Sequence, residues 1–349
     1  MIFPNYQPLV ELTRGPIVES VHYGAAVVVD SFGQVIYQIG HPQISTYLRS
    51  SSKPIQILPF VQAGGVEFYH LSEQELSILC ASHIGMDEHV ATVEGVQKKV
   101  GFTEENLMCG VHTPAHQATL QRMLKEGRPF TPNRHNCSGK HTGFLSYASL
   151  LGLPLEDYLN PHHPIQQNIL KTFAAMCDVP VEQVSVGIDG CSAPVFGVPL
   201  YNSAYAYARF CEANILPDSQ AQACRKIFHA MTSNPEMISG PDMFDTRLMQ
   251  VANGKMIAKC GAEGYQIVGF SAGVFGSGSP AMGLAIKVAD GDNNWRACQV
   301  AALHILSQTG LLGNQQLGNL SDFYTRPLYN WRKLEIGAIR PCFAVKPEN

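Results

Sequence analysis

The first stretch whose residues could do chemistry is Arg49-Ser50-Ser51-Ser52-Lys53-Pro54. It sets Ser50 and Lys53 three residues apart. On a helical turn, side chains at i and i+3 share a face, so the amine can reach the hydroxyl. A serine hydroxyl is a weak nucleophile until a nearby base takes its proton. A lysine is such a base when burial or a neighbouring cation keeps it neutral. Pro54 is tolerated only in a first turn, so the helix starts no earlier than about Ser51 and Ser50 sits at its entrance. One local conflict stands, because Lys53 precedes proline and is steered away from the α region. The bland reading of the same residues is a serine-rich N-cap beside a solvated lysine.

Four further segments concentrate polar, small and sulfur-bearing residues. Cys80-Ala81-Ser82-His83-Ile84-Gly85 offers a second hydroxyl, Ser82. Equally, it is a helix C-terminus closed by Gly85, with His83 favouring the negative end of the dipole. Asn133-Arg134-His135-Asn136-Cys137-Ser138-Gly139-Lys140-His141 is too polar for a core element and reads as a functional loop. Gly139 in it permits a close backbone approach. Cys137 and His141, four apart, suit a shared metal or a Cys–His nucleophile pair. At Asp189-Gly190-Cys191 a short apolar strand ends in an aspartate able to hold a substrate amino group and a possible sulfur ligand, or in a plain Asp-Gly turn. Lys259-Cys260-Gly261-Ala262-Glu263-Gly264 is where a second active-site lysine would precede an edge strand, or a surface turn.

The elements that must position these segments follow from periodicity. Tyr23–Val29 and Gln34–Tyr37 flank Asp30-Ser31-Phe32-Gly33, a hairpin signal. Ser72-Glu73-Gln74-Glu75 is a capping box. Helices are expected over Glu88–Val100 and Ala115–Glu126, each stopped by glycine, and over Ile165–Cys177, Ala204–Cys211 and Ala221–Met231. Beyond about residue 255, Gln266–Phe270 and Met282–Ala289 read as strands and Trp295–Leu306 as a helix. Both ends supply strands and the middle supplies helices. The expected fold is therefore α+β, an antiparallel sheet lobe from both termini plus a helical lobe. The whole chain, 1–349, forms one two-lobed catalytic unit, with sheet from about 1–50 and 255–349 and mainly helix from about 51–254.

Bulk composition excludes several classes. The 349 residues are 45% apolar and 15% charged, so a core is affordable and disorder is not expected. A net charge of -4 without a basic stripe argues against nucleic acid. No secretory signal and no membrane-length apolar run are visible, so the expectation is a soluble, cytoplasmic protein. Ten scattered cysteines without a CxxC pair are expected as reduced thiols.

Taken together, RSSSKP at 49–54, ASHIG at 81–85, NCSGKH at 136–141, DGC at 189–191 and KCGAEG at 259–264 resemble the Rhizobium etli-type L-asparaginases. The opening Arg14-Gly15-Pro16-Ile17-Val18-Glu19-Ser20, followed by His22, is also typical of that family. Five motifs in the right order are specific where each alone is modest. The resemblance implies a fold like serine β-lactamases and penicillin-binding proteins. It implies hydrolysis of L-asparagine to L-aspartate and ammonia. It pairs Ser50 with Lys53 and Ser82 with Lys259 as two Ser–Lys tandems, with Ser50 favoured as the attacking group. It gives substrate-binding roles to Arg49, Asp189 and His141. It implies one zinc ion on Cys137, Lys140 and Cys191, with water as fourth ligand, and a homodimer. Two thiolates would largely neutralise that zinc, making it an orienting or structural centre more than a water activator. The rivals are a penicillin-binding or esterase-type serine acyl hydrolase, a cysteine amidase using Cys137 with His141, and a non-catalytic zinc protein.

Overall fold

A computed structural model of the chain describes residues 5–345. The terminal Lys346–Asn349, read from sequence as a frayed end, lies outside that range. The strands are β1 (Gln7–Arg14), β2 (Ile17–Asp30), β3 (Val35–Ile39), β4 (Ser45–Tyr47), β5 (Ser185–Ile188), β6 (Pro194–Pro199), β7 (Met256–Gly261), β8 (Tyr265–Phe270), β9 (Met282–Val288), β10 (Arg326–Tyr329) and β11 (Glu335–Pro341). The helices are α1 (Lys53–Gln62), α2 (Gly65–Phe68), α3 (Glu73–Leu79), α4 (Asp87–Val100), α5 (Gln117–Glu126), α6 (Ser138–Leu150), α7 (Pro164–Cys177), α8 (Leu200–Cys211), α9 (Asp218–Ser233), α10 (Pro235–Ile238), α11 (Phe244–Ala252), α12 (Cys298–Gln308) and α13 (Asn314–Gly318). Among the described residues no helix is long and apolar enough to cross a membrane. None of the ten cysteines, all among the described residues, is in a disulfide.

The chain divides into two compact units. One takes the chain up to residue 51, residues 197–212 and the chain from 247 on. The other takes 52–196 and 213–246. The first unit is built on an antiparallel sheet in the order β10-β11-β1-β2-β9-β8-β7, with β3 also paired to β2. All six residues of β8 are buried, which requires cover on both faces. The cover is α8 and α12. Gly283 of β9 lies against Ala204 of α8, while its neighbour Leu284 lines a small apolar cavity with Ile305 of α12. Successive strand residues point to opposite faces, so the two helices sandwich the sheet. The sequence reading put 204–211 among the helices of the middle. In the structure α8 belongs with the sheet, because its buried face, including Ala204, Tyr207 and Ala208, packs on strands.

The hairpin after β2 forms where its residues predict. The Asp30 carboxylate accepts from Phe32 and Gln34 N–H, and Gly33 takes φ +88°. The helix expected at Trp295 starts only at Cys298. The Asp292 carboxylate accepts from the Arg296, Ala297 and Cys298 N–H groups, capping the helix three residues late, and Trp295 sits at φ +52°.

The second unit is helical around α1. Nine consecutive residues of α1, Lys53 to Val61, are buried. A helix apolar on all sides is one that others surround, and α6, α7 and α9 pack on it. Helix α3 starts with the expected capping box: Ser72 Oγ accepts from Glu75 N–H at 3.2 Å, and the Glu75 carboxylate from Ser72 N–H at 2.7 Å.

One of the close contacts in the sheet unit yields a prediction. A Cβ at Gly283 would lie 1.9 Å from the Ala204 carbonyl oxygen. Gly283→Ala should cost about 1–3 kcal/mol by overpacking. Ser72→Ala should cost about 1 kcal/mol through its lost cap. Urea midpoints of the two variants check the order; a Gly283→Ala protein as stable as the parent would refute the close packing of α8 on β9.

Candidate active site

Lys53 opens α1 directly after the 3-10 turn Arg49–Ser52, with Pro54 following in the helix's first turn. The conflict read from sequence resolves in favour of the helix. Proline's missing N–H would have no intrahelical partner at that position anyway. The Lys53 side chain is buried. Its amine lies 2.5 Å from the Ala81 carbonyl oxygen, 2.8 Å from Ser82 Oγ and 3.4 Å from the Asn136 carbonyl oxygen. Thus the ASHIG and NCSGKH segments meet at one lysine.

A further bond ties those segments together. His83 Nδ1 accepts from Gly85 N–H at 3.1 Å, which leaves Nε2 as the protonated nitrogen. That Nε2–H donates to Ser138 Oγ at 2.8 Å, and Ser138 donates in turn to the Asn133 carbonyl at 3.0 Å. Burial, with His89 and Lys53 nearby, pushes His83 well below the usual imidazole range. His83 is therefore a neutral clip between loops, not the cation at a helix end that the sequence allowed.

Lys140 and His141 fall in the first turns of α6, not in the loop expected for the whole segment, and Cys137 caps that helix. The foreseen close approach at Gly139 is present, since a Cβ there would lie 2.0 Å from the Ile78 carbonyl oxygen. Lys140 Nζ donates to Cys191 Sγ at 3.0 Å, and Cys191 is hydrogen-bonded to Cys137. The Cys191 hydrogen bond, helped against burial by the Lys53 and Lys140 charges, holds Cys137 well below the usual thiol range. The same shared proton and burial push Cys191 up. Burial alone would lower Lys140, but the two sulfurs and Asp189 outweigh it and raise it. Asp189 lies half-buried at the start of the β5–β6 turn, its carboxylate accepting from Gly190 N–H at 2.8 Å.

The two sulfurs are soft donors of the kind zinc takes, and Lys140 would have to give up its proton to join them. Among the described residues, no three His, Cys, Asp or Glu side chains cluster as metal ligands. The Cys137–His141 pairing is not how the structure arranges these groups. His141 Nδ1 is bonded to the Tyr158 hydroxyl at 2.6 Å, and Cys137 is bonded instead to Cys191 and His135.

In the other unit, the residues before Lys53 meet the KCGAEG segment. Ser51 Oγ donates to the Lys259 carbonyl at 2.8 Å. A Cβ at Gly261 would lie 2.4 Å from the Leu48 carbonyl oxygen. Arg49 lies 3.9 Å from Glu263 and adopts φ +52°, a left-handed conformation that costs energy for a non-glycine residue. Ser50 follows it, half-buried. Lys259 is fully buried on the edge strand β7, within the strand and not before it, its amine donating to the Cys260 carbonyl at 2.9 Å. Ser50 and Lys53 fall on opposite sides of the division between units, as do Ser82 and Lys259.

Sequence reasoning gave His83 only a helix-end role, named His135 and Ser138 only as part of a polar segment, and missed Tyr158. It also missed Lys53 beside Ser82. These partners lie tens of residues apart and carry no local signature. The usable signal was the density of histidines flanking the named motifs.

The family described as L-asparaginase II matches residues 10–341, nearly the whole chain, and the protein belongs to that family. It is an amidohydrolase. No match is found among curated proteins. Among solved structures, a probable glutaminase from Bacillus subtilis complexed with 6-diazo-5-oxo-L-norleucine is 12% identical at a TM-score of 0.41, over 82% of this chain and 84% of that one. A Bacillus glutaminase determined in 4.3 M NaCl is 10% identical at a TM-score of 0.40, over 82% and 91%. Likeness at that distance carries no substrate assignment.

The contact at Gly139 makes a prediction of its own. Gly139→Ala must push α6 away from the end of α3, which carries Ser82 and Lys140 with it. Stability should fall by about 1–3 kcal/mol, and amide hydrolysis should fall at temperatures where the variant is still folded. Full activity in a folded Gly139→Ala protein would show that the α3–α6 approach does not position the site.

Proposed function

We propose that the protein hydrolyses the side-chain amide of L-asparagine to L-aspartate and ammonia through a serine acyl-enzyme. The observation that carries the reading is the buried Lys53 amine at 2.8 Å from Ser82 Oγ. An ammonium there gives one hydrogen to each of three oxygens. An amine gives two hydrogens to the carbonyls of Ala81 and Asn136 and accepts one from Ser82. Both forms fit the same three partners, so a proton can pass without rearrangement of heavy atoms.

In the proposed mechanism the Ser82 hydroxyl turns its hydrogen away from the neutral Lys53 amine. Ser50 attacks the amide carbon while the freed lone pair of Lys53 takes its proton. Support for Ser50 is its spacing from Lys53 and its place on the turn that runs into α1. The tetrahedral oxyanion collapses as the carbon–nitrogen bond breaks. The departing nitrogen takes the proton from Lys53, relayed by Ser82. Water then attacks the ester, returning Ser50 and releasing aspartate. Asp189 suits the substrate's ammonium, and Arg49 and His141 suit its oxygens. Buried Lys259 remains the proposed partner of Ser82 from the second tandem.

Cys137, Lys140 and Cys191 are the proposed zinc ligands. Bound zinc would supply fixed positive charge and orientation, its Lewis acidity blunted by two thiolates. The remaining expectations, a cytoplasmic homodimer, rest on the resemblance alone. Asparagine is preferred over glutamine on the family's description. One methylene discriminates by only about 1–3 kcal/mol, so some glutamine turnover is compatible.

Ammonia release from a panel of amino-acid amides tests the activity. Asparagine should give the highest kcat/KM, and Ser50→Ala should lose about 1000-fold or more while keeping its melting temperature. Near-full turnover by Ser50→Ala would sink the assigned nucleophile, and no release from any amide would sink the reading. Metal analysis tests the zinc separately: about one zinc per chain is expected, lost in Cys191→Ala. Parent protein without zinc would remove the metal from the proposal.

A further inference from the structure

Tyr158 is fully buried, and its hydroxyl holds two partners. The Met108 N–H donates to it at 2.9 Å, and His141 Nδ1 lies 2.6 Å away. His141 itself is completely buried, and its Nε2 has no hydrogen-bond partner. Its ring lies close enough to Lys140, Cys137, His135 and Lys53 for their charges to act on it.

Counting hydrogens favours one nitrogen as the carrier of the proton. Tyr158 already accepts from Met108, and its own O–H needs an acceptor. If Nδ1 is that acceptor, every polar group of the pair is satisfied except an Nε2–H. If Nδ1 were protonated and donated to Tyr158, the phenol hydrogen and the Nε2 lone pair would both be stranded in the interior. Each stranded group costs about 1–3 kcal/mol, so the first arrangement is favoured.

We propose that Tyr158 is a positioning residue that fixes His141 as an Nε2–H donor, and that this hydrogen is given to an oxygen of the substrate. The inference deepens the amide-hydrolase reading and rests on it for the ligand. Asparagine offers both acceptors and donors: two carboxylate oxygens and an amide carbonyl on one side, an ammonium and an amide nitrogen on the other. A fixed N–H pairs with an oxygen and disfavours a nitrogen donor in the same place. It also keeps His141 out of the metal's ligand set, since a ligating Nε2 has to be bare.

Nitrogen NMR of the full-length protein with labelled histidine, His141 assigned by loss of its signals in His141→Gln, reads the tautomer without any substrate. Protonated Nε2 and bare Nδ1 are expected, unchanged when zinc is added. A protonated Nδ1, or an Nε2 that becomes metal-bound, overturns the proposal whatever the enzyme's activity. Kinetics then test the ligand. Tyr158→Phe should lower kcat/KM for asparagine about tenfold, mostly through KM. Adding it to His141→Gln should cost nothing more, since its effect passes through that ring. Equal losses from Tyr158→Phe in both backgrounds would mark Tyr158 as merely structural. Should Tyr158→Phe fail to fold, the tautomer of the parent protein still decides. A protein that shows the expected tautomer but releases no ammonia from any amide would fail the functional reading while the tautomer assignment stands.

Discussion

The candidate site depends on one buried amine. Taking a lysine out of water is costly unless hydrogen bonds replace the solvent, and at Lys53 two loop carbonyls and a hydroxyl do so. Those loops have little regular structure of their own. They are fixed because each ends against a rigid helix and because His83 and Ser138 join them. Without the amine, three oxygens that converge would have nothing to converge on. Without the loops, the amine would have to be exposed. Each explains the other, and the sulfur cluster follows from the same stretch of chain, since Asn136 precedes Cys137.

What could be read from the sequence was what is encoded locally. The capping box at Ser72, the hairpin at Asp30 and the glycine stops after α4 and α5 all announce themselves within four residues. The antiparallel sheet with helices was legible because strand and helix periods segregate along the chain. The late start of α12 was not, because Asp292 caps it from outside the apolar pattern. The placement of α8 was not, because an amphipathic period does not say which partner it faces.

For the site, residue types were legible and pairings were not. The motifs named Lys53, Ser82, Cys137, Lys140 and Cys191. Spacing within a motif then suggested Cys137 with His141, which share a helical face. The fold gives His141 to Tyr158 and Cys137 to Cys191, because contacts between segments override contacts within a turn. Buried neutral histidines such as His83 give no sign in the sequence that sets them apart from surface ones.

The chain passes between its two units at 51–52, 196–197, 212–213 and 246–247. Gly24 of β2 pairs with Val288 of β9, so the central strands of the sheet come from opposite ends of the chain. During synthesis β2 can pair at once with β1 and β3, but its pairing with β9 must wait until residues 282–288 have emerged. Such long-range pairing folds slowly and leaves sticky edges open to other molecules. Neither unit can be cut out as one continuous fragment. Yield of this protein should therefore be limited by the time its nascent chain spends incomplete, more than by the stability it reaches once closed.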